Sequence, residues 1–242
     1  MVTRVAVISD IHANLPALEA VLADIDRKDV DQIFCAGDLV GQGPHPNQVV
    51  SRIRKAGIPS VLGNQEIEVR ELADRARPDP KKHMLWTIAV LKRRNREYLL
   101  SLPSDRELEV EGVGILLVHG SPHGTFDTMH PSLTSNTLRA WFPVGTPRPD
   151  VLVGGHTHVP FVRTVDGMLV VNAGTVGRPF DGDPRASWAL LELEKGRARA
   201  RIRSVEYPVE EAVRAMKRIG MQKWRRRALE LAVRRWPTDR ME

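Results

Sequence analysis

Seven side chains with oxygen or nitrogen donors lie at the ends of apolar, strand-like runs. They are Asp10 and His12 in "DIH", Asp38 in "GDLV", Asn64 in "GNQE", His119 in "VHGSP", and His156 and His158 in "GGHTHVP". Together they offer two carboxylates, one amide oxygen and four imidazoles, with no thiolate. This donor set suits borderline divalent ions such as Mn, Fe, Co, Ni or Zn, and it argues against a Cys-rich structural zinc site.

The spacing of His156 and His158 predicts that both lie in a loop. Two residues separated by one position point to opposite faces of a strand and do not converge on a helix. Gly154 and Gly155 come directly before them, and glycines allow a tight turn that could aim both rings at one cavity. Two loop histidines alone are weak evidence of a metal site, but five such motifs in the same setting are stronger.

The first 65 residues predict the pattern βαβαβ. Strands are expected in "RVAVIS", "DQIFCAG" and "IPSVLG", and helices in "NLPALEAVLADIDRKD", with Asn14 as its cap, and "PNQVVSRIRKAG". Each predicted strand is followed by a polar residue, namely Asp10, Asp38 or Asn64. Sites in open α/β sheets form beyond the carboxyl ends of the strands, so these three side chains are expected to meet.

The rest of the chain predicts a helical flank followed by a strand-rich region. Residues 66–105 are expected to form this flank or cap. Seven short β-like runs follow, with hairpin turns at Asp166-Gly167 and Lys195-Gly196 and one amphipathic helix around "SLTSNTLRAWF". Helices are expected again from about Val209, and the second of them would carry Trp224, Leu229 and Trp236.

Composition and charge narrow the possible classes of protein. The 242-residue chain has one cysteine, Cys35, which excludes an internal disulfide. No signal peptide or membrane-spanning run is apparent, so we expect a cytoplasmic protein with no membrane partner. The net charge is +6, but residues 195–242 hold 15 Lys/Arg and 6 Asp/Glu, or +9, which leaves −3 for residues 1–194.

The basic tail has two interpretations. It could bind nucleic acid or a partner through its basic face. The alternative, which we favour, is that its helices pack on the acidic body and leave their arginines in solvent. We therefore expect one domain over residues 1–208 and a basic helical extension, 209–242, packed on it.

The ordered motifs D-x-H, G-D, G-N-x-[ED], x-H-G and G-H-x-H resemble the calcineurin-like metallophosphoesterase superfamily. They span residues 10–158, and "NAGTVGRPFDGDPRASWALLELE" extends the similarity to a compact bacterial branch as far as about residue 208. The resemblance implies a four-layer α/β/β/α sandwich with a dinuclear centre. It implies Asp10, His12, Asp38 and His158 around one ion, and Asp38, Asn64, His119 and His156 around the other, with Asp38 as the bridge. Asp38, Asn64 and His119 would also take part directly in catalysis.

The function implied is hydrolysis of phosphodiesters or activated phosphomonoesters by a bridging metal-bound hydroxide. The two ions would be Mn or Fe, with Ni, Co and Zn as alternatives, and the substrate a small phosphate ester or a nucleotide. Many members of the superfamily have His where this chain has Gln65, and an amide cannot act as a general acid. We therefore expect a hydrolase that favours good leaving groups. The alternative is a metal-containing protein that binds or senses a phosphorylated ligand.

Three residues are candidates for substrate binding. Gln65 could still donate a hydrogen bond, Arg178 could clamp a phosphate, and His123 could replace the missing acid, as could His45. The alternatives are a loop arginine paired with a nearby aspartate, and ordinary loop histidines. Glu66 could orient a neighbouring ligand, but acidic residues are also common at helix starts because of the helix dipole. The substrate, the native metals and the oligomeric state are left open.

Overall fold

Two β-sheets and seven helices make up the part of the chain that the computed structural model describes, residues 1–222. The helix expected to carry Trp224, Leu229 and Trp236 lies outside these residues. The mixed α/β class predicted from the sequence is confirmed.

The first sheet has the strand order β2-β1-β8-β9. Its strands are β1 (Thr3–Ile8), β2 (Gln32–Cys35), β8 (Ala186–Glu194) and β9 (Arg197–Val205). Strands β1 and β2 are parallel, and the other two pairs are antiparallel. The β8–β9 pair is the hairpin predicted at Lys195-Gly196.

The second sheet has the order β3-β4-β5-β7-β6. Its strands are β3 (Arg106–Val110), β4 (Val113–Leu117), β5 (Val151–Gly154), β6 (Phe161–Val165) and β7 (Met168–Asn172). Strands β4, β5 and β7 are parallel, while β3 and β6 are antiparallel edges. The carboxyl ends of the three parallel strands therefore lie at the same edge of the sheet.

The helices are α1 (Leu15–Asp26), α2 (Pro46–Lys55), α3 (Asn64–Glu71), α4 (His83–Val90), α5 (Arg93–Leu100), α6 (Ser135–Ala140) and α7 (Val209–Arg218). Helix α1 begins as predicted, because the Asn14 side chain accepts a hydrogen bond from the backbone N–H of Ala17. A short 3-10 turn at Ala73–Arg75 and helices α3 to α5 account for the predicted helical flank.

The predicted third strand, "IPSVLG", is wrong as a strand. It is reduced to one parallel bridge between Ser60 and Cys35. Pro59 has no backbone N–H to donate, and the N–H of Leu62 turns to the carbonyl of Pro103 instead. The segment still delivers the following residues to the end of the first sheet.

Alternation along β1 shows how the core is divided. Val5 and Val7 pack between the two sheets, whereas Ala6 and Ile8 face the cluster formed with α1 and α2. A third apolar cluster covers the outer face of the second sheet and includes Leu138 of α6. This order agrees with a layered sandwich, but the predicted count of four layers stays a prediction.

Helix α7 begins at the predicted position, Val209, and buries an apolar face. Val213 and Met216 are buried against Trp86 of α4, with Val209 and Ile219 beside them. The packed interpretation is thus supported for this first part of the tail, and the proposed domain boundary at residue 208 stays a prediction. Within residues 1–222, no helix combines the length and apolar character needed to cross a membrane.

Asn14 links helix α1 to the segment that contains Gly177, because its Nδ2 also donates to the carbonyl of Gly177 at 3.1 Å. Replacing Asn14 by Ala should lower the free energy of unfolding by about 1–3 kcal/mol, since both a helix cap and a buried bond are lost. Thr134→Ala, which removes the exposed cap of α6, should cost at most about 1 kcal/mol. Equal losses in urea unfolding would contradict the linking role of Asn14.

Candidate metal centre

The side chains predicted to meet do so beyond the carboxyl ends of strands from both sheets. Asp10 follows β1, Asp38 follows β2, and His119 and His156 follow the neighbouring strands β4 and β5. The N–H of Asp10 donates to the carbonyl of Gly37, and the N–H of His12 to that of Asp38. These bonds join the first two loops directly, so their acidic side chains are held together.

One group of three donors consists of Asp10, His12 and His158. The Nε2 atoms of the two histidines are 3.0 Å apart, and His158 Nε2 is 3.1 Å from Asp10 Oδ1. All three side chains are buried, with exposures of 0 to 5%. This arrangement matches the residues expected around one ion.

The second group consists of Asn64, His119 and His156. Asn64 Oδ1 lies 3.2 Å from His119 Nε2 and 3.0 Å from His156 Nδ1, and the two imidazole nitrogens are 3.2 Å apart. Asn64 is the first residue of α3, which projects its side chain from the start of the helix. These are the residues expected around the other ion.

Asp38 lies between the two groups. Its Oδ2 is 3.7 Å from His12 Nε2, and its Oδ1 is 3.5 Å from His119 Nε2. Each oxygen therefore faces the imidazole of a different group. A carboxylate can span two cations in this way, whereas one imidazole cannot.

The hydrogen-bond chemistry shows that cations fit this site. His119 Nδ1 donates to the Ala36 carbonyl at 2.6 Å, and His158 Nδ1 donates to the Arg178 carbonyl. In the neutral His119 ring, Nε2 is then an acceptor, yet it faces Asn64 Oδ1. Asp10 Oδ1 is buried without a hydrogen-bond donor. Facing acceptors repel one another unless a cation lies between them.

Burial also keeps the imidazoles ready to bind metal. It lowers the pKa of His12 to about 3 and that of His119 to about 4, so both rings are neutral at pH 7. Burial and the nearby Glu66 carboxylate raise the pKa of Asp38 well above its usual value. Burial opposes ionisation of Asp10 too, but contacts with His158 and His12 hold its pKa well below the usual value.

Backbone strain is concentrated in the same residues. Five candidate ligands have positive φ angles, namely Asp10 (53°), His12 (49°), Asp38 (55°), His156 (67°) and His158 (61°). This left-handed conformation costs a non-glycine residue about 1–3 kcal/mol and is concentrated at functional sites. The strain therefore supports a functional role for this cluster.

The loop that carries His156 and His158 is formed differently from the prediction. The two histidines lie outside strands, as expected, but the tight turn is made by their own positive φ angles. Gly155 is needed for close approach, because a Cβ there would lie 2.0 Å from Ser9 Oγ and 2.4 Å from Asp10 Oδ2. The N–H of His156 donates to that same Asp10 oxygen.

Glu66 has a larger role than the helix-dipole interpretation gave it. Its buried carboxylate accepts backbone hydrogen bonds from Gly63, Asp38, Leu39 and Val40 at 2.8 to 3.4 Å. It thus fixes the loop on which Asp38 stands to the turn before Asn64. The G-N-x-[ED] motif could have indicated this role, because its acidic position is part of the pattern.

Gln65 lies beside Asp38, but its side-chain amide packs over Gly41. Its backbone N–H donates to Asp38 Oδ1 at 2.9 Å, and its side chain is packed over Gly41, where a Cβ would lie 2.0 Å from Gln65 Oε1. That buried oxygen has no hydrogen-bond partner among the described residues. The only hydrogen-bond donor of the Gln65 side chain is its amide NH2 group, which cannot act as a general acid.

Arg178 belongs to a segment that orients His158. Its carbonyl accepts the bond from His158 Nδ1, and its guanidinium lies 4.8 Å from the centre of the Phe180 ring. The Phe180 ring stacks on His158 at 4.5 Å with an angle of 7°. Sequence reasoning missed Phe180, because nothing in its spacing indicates a contact with a histidine 22 positions earlier.

The two histidines considered as replacement acids differ in setting. His123 is exposed in the loop after β4, where its N–H donates to Ser121 Oγ. His45 precedes α2, and its N–H donates to the Ala13 carbonyl at 3.0 Å. His45 Nδ1 is buried and has no partner among the described residues. The structure does not bring either ring into the two groups of candidate ligands.

Comparison with known proteins agrees with this geometry. Residues 3–196 match the model of the calcineurin-like phosphoesterase superfamily domain. The chain belongs to this superfamily.

Two similar proteins cover almost the whole chain. The uncharacterized protein MJ0912 of Methanocaldococcus jannaschii is 33% identical, over 92% of this chain and 95% of its own. The crystal structure of a metallophosphoesterase from Sphaerobacter thermophilus is similar with a TM-score of 0.79 and 31% identity, over 96% of this chain and 99% of its own.

A further relative has a named activity. The phosphodiesterase YfcE of Escherichia coli is 26% identical, over 76% of this chain and 84% of its own. The superfamily, its phosphodiesterase relative and the convergent ligands together support a metal-binding hydrolase of phosphate esters.

The role of Glu66 gives a prediction for metal affinity. Glu66→Gln replaces one acceptor oxygen with an NH2 group that faces backbone N–H donors, so the Asp38 loop should loosen. We expect Mn²⁺ affinity, measured by isothermal titration calorimetry, to fall about 10- to 100-fold. Glu71→Gln, an exposed change on the same helix, is the control and should leave the affinity unchanged. Equal affinities for the two variants would contradict the positioning role.

Proposed function

We propose that this protein is a dinuclear metal-dependent phosphoesterase that hydrolyses phosphodiesters or activated phosphomonoesters. The observation that carries the proposal is the position of Asp38, whose two oxygens face His12 on one side and His119 on the other. A superfamily match over residues 3–196 and a phosphodiesterase relative support the same reaction class.

The proposed ligands divide into two sets that share Asp38. Asp10, His12 and His158 would complete one site, and Asn64, His119 and His156 the other. Two divalent ions bound there would activate the attacking water and draw negative charge from the phosphoryl oxygens. Mn or Fe are the proposed ions, with Ni, Co and Zn as alternatives, because the donors are oxygen and imidazole nitrogen.

The residues of the chain would bind and orient the anionic substrate. The two carboxylates, Asp10 and Asp38, offset only half the charge of two divalent ions, so the centre attracts a phosphate. The Arg178 guanidinium lies over the Phe180 ring, which stacks on His158, and Arg178 is the proposed phosphate clamp. His119 and Asn64 would hold the reacting group on the other side.

Proton supply to the leaving group is the step that this chain lacks at residue 65. The amide of Gln65 can donate a hydrogen bond but cannot transfer a proton at neutral pH. General acid catalysis is typically worth about 10²- to 10⁴-fold. We therefore propose that the substrates have leaving groups that depart without protonation.

Nucleic acid remains a less favoured partner. The basic extension, residues 209–242, suggested this partner, but most of it lies outside the described residues. Helix α7, which is described, packs its apolar face on the body. We propose a small phosphate ester or a nucleotide as the substrate and a cytoplasmic location for the protein.

Metal-stripped protein should be inactive on bis-p-nitrophenyl phosphate and should recover turnover when Mn²⁺, Ni²⁺, Co²⁺ or Zn²⁺ is added. Asp38→Asn should lower kcat by at least about 10²-fold, because the bridge between the two ions is weakened. Asp105→Asn, on the exposed segment before β3, is the control and should retain full activity. Two bound metals without turnover would instead favour a protein that binds a phosphorylated ligand.

The missing acid gives a separate prediction. The wild-type protein should hydrolyse p-nitrophenyl esters far faster than alkyl esters of phosphate. Gln65→His should raise the rate on alkyl esters, by up to about 10²-fold, and change the p-nitrophenyl rate little. Gln65→Asn controls for the loss of the long amide over Gly41. Equal wild-type rates on both ester classes would refute the expected preference.

A further inference from the structure

The loop that follows His119 carries an exposed aromatic residue, Phe126. Its side chain is 59% exposed, and it is the only Phe, Tyr or Trp in the exposed range within residues 1–222. An aromatic ring offers a large, rigid surface on which a flat or apolar group of a ligand can pack. The position of Phe126 relative to the metal centre therefore matters.

The loop that carries Phe126 is tightly structured. Ser121 Oγ donates to Asp127 Oδ2 at 2.5 Å and accepts from the N–H groups of His123 and Gly124. A Cβ on Gly120 would lie 2.6 Å from the carbonyl oxygens of Gly124, Thr125 and Asp127, so the loop curls closely over Gly120. A loop held in this way presents Phe126 in a defined place and has little freedom to lose on binding.

Two connections tie this loop to the candidate ligands. It begins directly after His119, and the backbone of Phe126 lies close enough to the His156 side chain to raise the pKa of that ring, against the larger lowering that burial causes. The Phe126 backbone therefore lies near a proposed metal ligand.

The other aromatic ring near the centre is already in contact with protein groups. Phe180 is half-buried, stacks on His158, and lies next to the Arg178 guanidinium. Of these two rings, Phe126 is therefore the one open to a ligand. A substrate whose phosphate lies at the metal centre could place an attached ring system on it.

We propose that Phe126 is a specificity residue that stacks on the base of a nucleotide, so that the substrates are phosphodiesters with a nucleoside attached to the phosphorus. This inference rests on the proposed phosphoesterase function. Stacking of a base on an aromatic side chain is sequence-tolerant and is worth about 1–3 kcal/mol, which is about 5- to 150-fold in binding. A nucleoside also supplies the flat group that a small alkyl ester lacks.

Two substrates with the same leaving group test this directly. Thymidine 5′-(p-nitrophenyl phosphate) and methyl p-nitrophenyl phosphate both release p-nitrophenolate, but only the first carries a base. Phe126→Ala in the metal-loaded protein should lower kcat/KM for the thymidine ester about 5- to 150-fold, mainly through KM, and leave the methyl ester within about twofold. Phe126→Trp should retain the preference for the thymidine ester. Val144→Ala, at another exposed apolar residue, should change neither substrate.

A binding measurement separates this inference from the proposed function. Calorimetric titration of the metal-loaded protein should show that Phe126→Ala weakens thymidine 5′-monophosphate about 5- to 150-fold and leaves methyl phosphate unchanged. If both substrates and both ligands lose equally, or none changes, the stacking role of Phe126 is overturned. If wild-type protein fails to hydrolyse the methyl ester with any metal, the proposed function fails, and the calorimetric comparison still decides on Phe126.

Discussion

Acceptor atoms facing one another around Asp38 are the constraint on which the rest of the structure depends. The neutral imidazole of His119 cannot donate from Nε2 to Asn64 Oδ1, which it faces, because its proton is on Nδ1 and is donated to the Ala36 carbonyl. Such an arrangement is repulsive in a buried site unless cations balance it. The two groups of donors, with one oxygen of Asp38 turned to each, are the basis for the two adjoining cation sites that we propose.

The surrounding fold holds these side chains in place against backbone strain. Asp10, His12 and Asp38 all adopt left-handed φ angles, and the loops they occupy, which follow β1 and β2, are joined by backbone hydrogen bonds. Glu66 adds four bonds from its carboxylate to the N–H groups around Asp38 and Gly63. All of these bonds are made by groups of the protein itself, so the fold contributes to the arrangement of the donors. The loop after His119 is likewise held by its own hydrogen bonds.

Much of the site could be predicted from the sequence, because its donors follow apolar runs whose carboxyl ends meet at one edge. The resemblance to the superfamily, carried by the order of the motifs, then implied which residues surround each of two ions. What could not be predicted depends on contacts between distant segments. The stack of Phe180 on His158 leaves no periodic signal in the chain, and the four bonds of Glu66 are indicated only by the acidic position of the G-N-x-[ED] motif. The run "IPSVLG" misled for a local reason, since Pro59 and the turn of Leu62 toward Pro103 leave a single bridge where a strand was expected.

The most direct test of the central claim is a crystal of the protein grown with Mn²⁺ and measured for anomalous scattering. The account predicts two peaks per chain, about 3.5–4 Å apart, one on each side of the Asp38 carboxylate. The first should be bounded by Asp10, His12 and His158, and the second by Asn64, His119 and His156. A single peak, or peaks that Asp38 does not contact, would contradict the account.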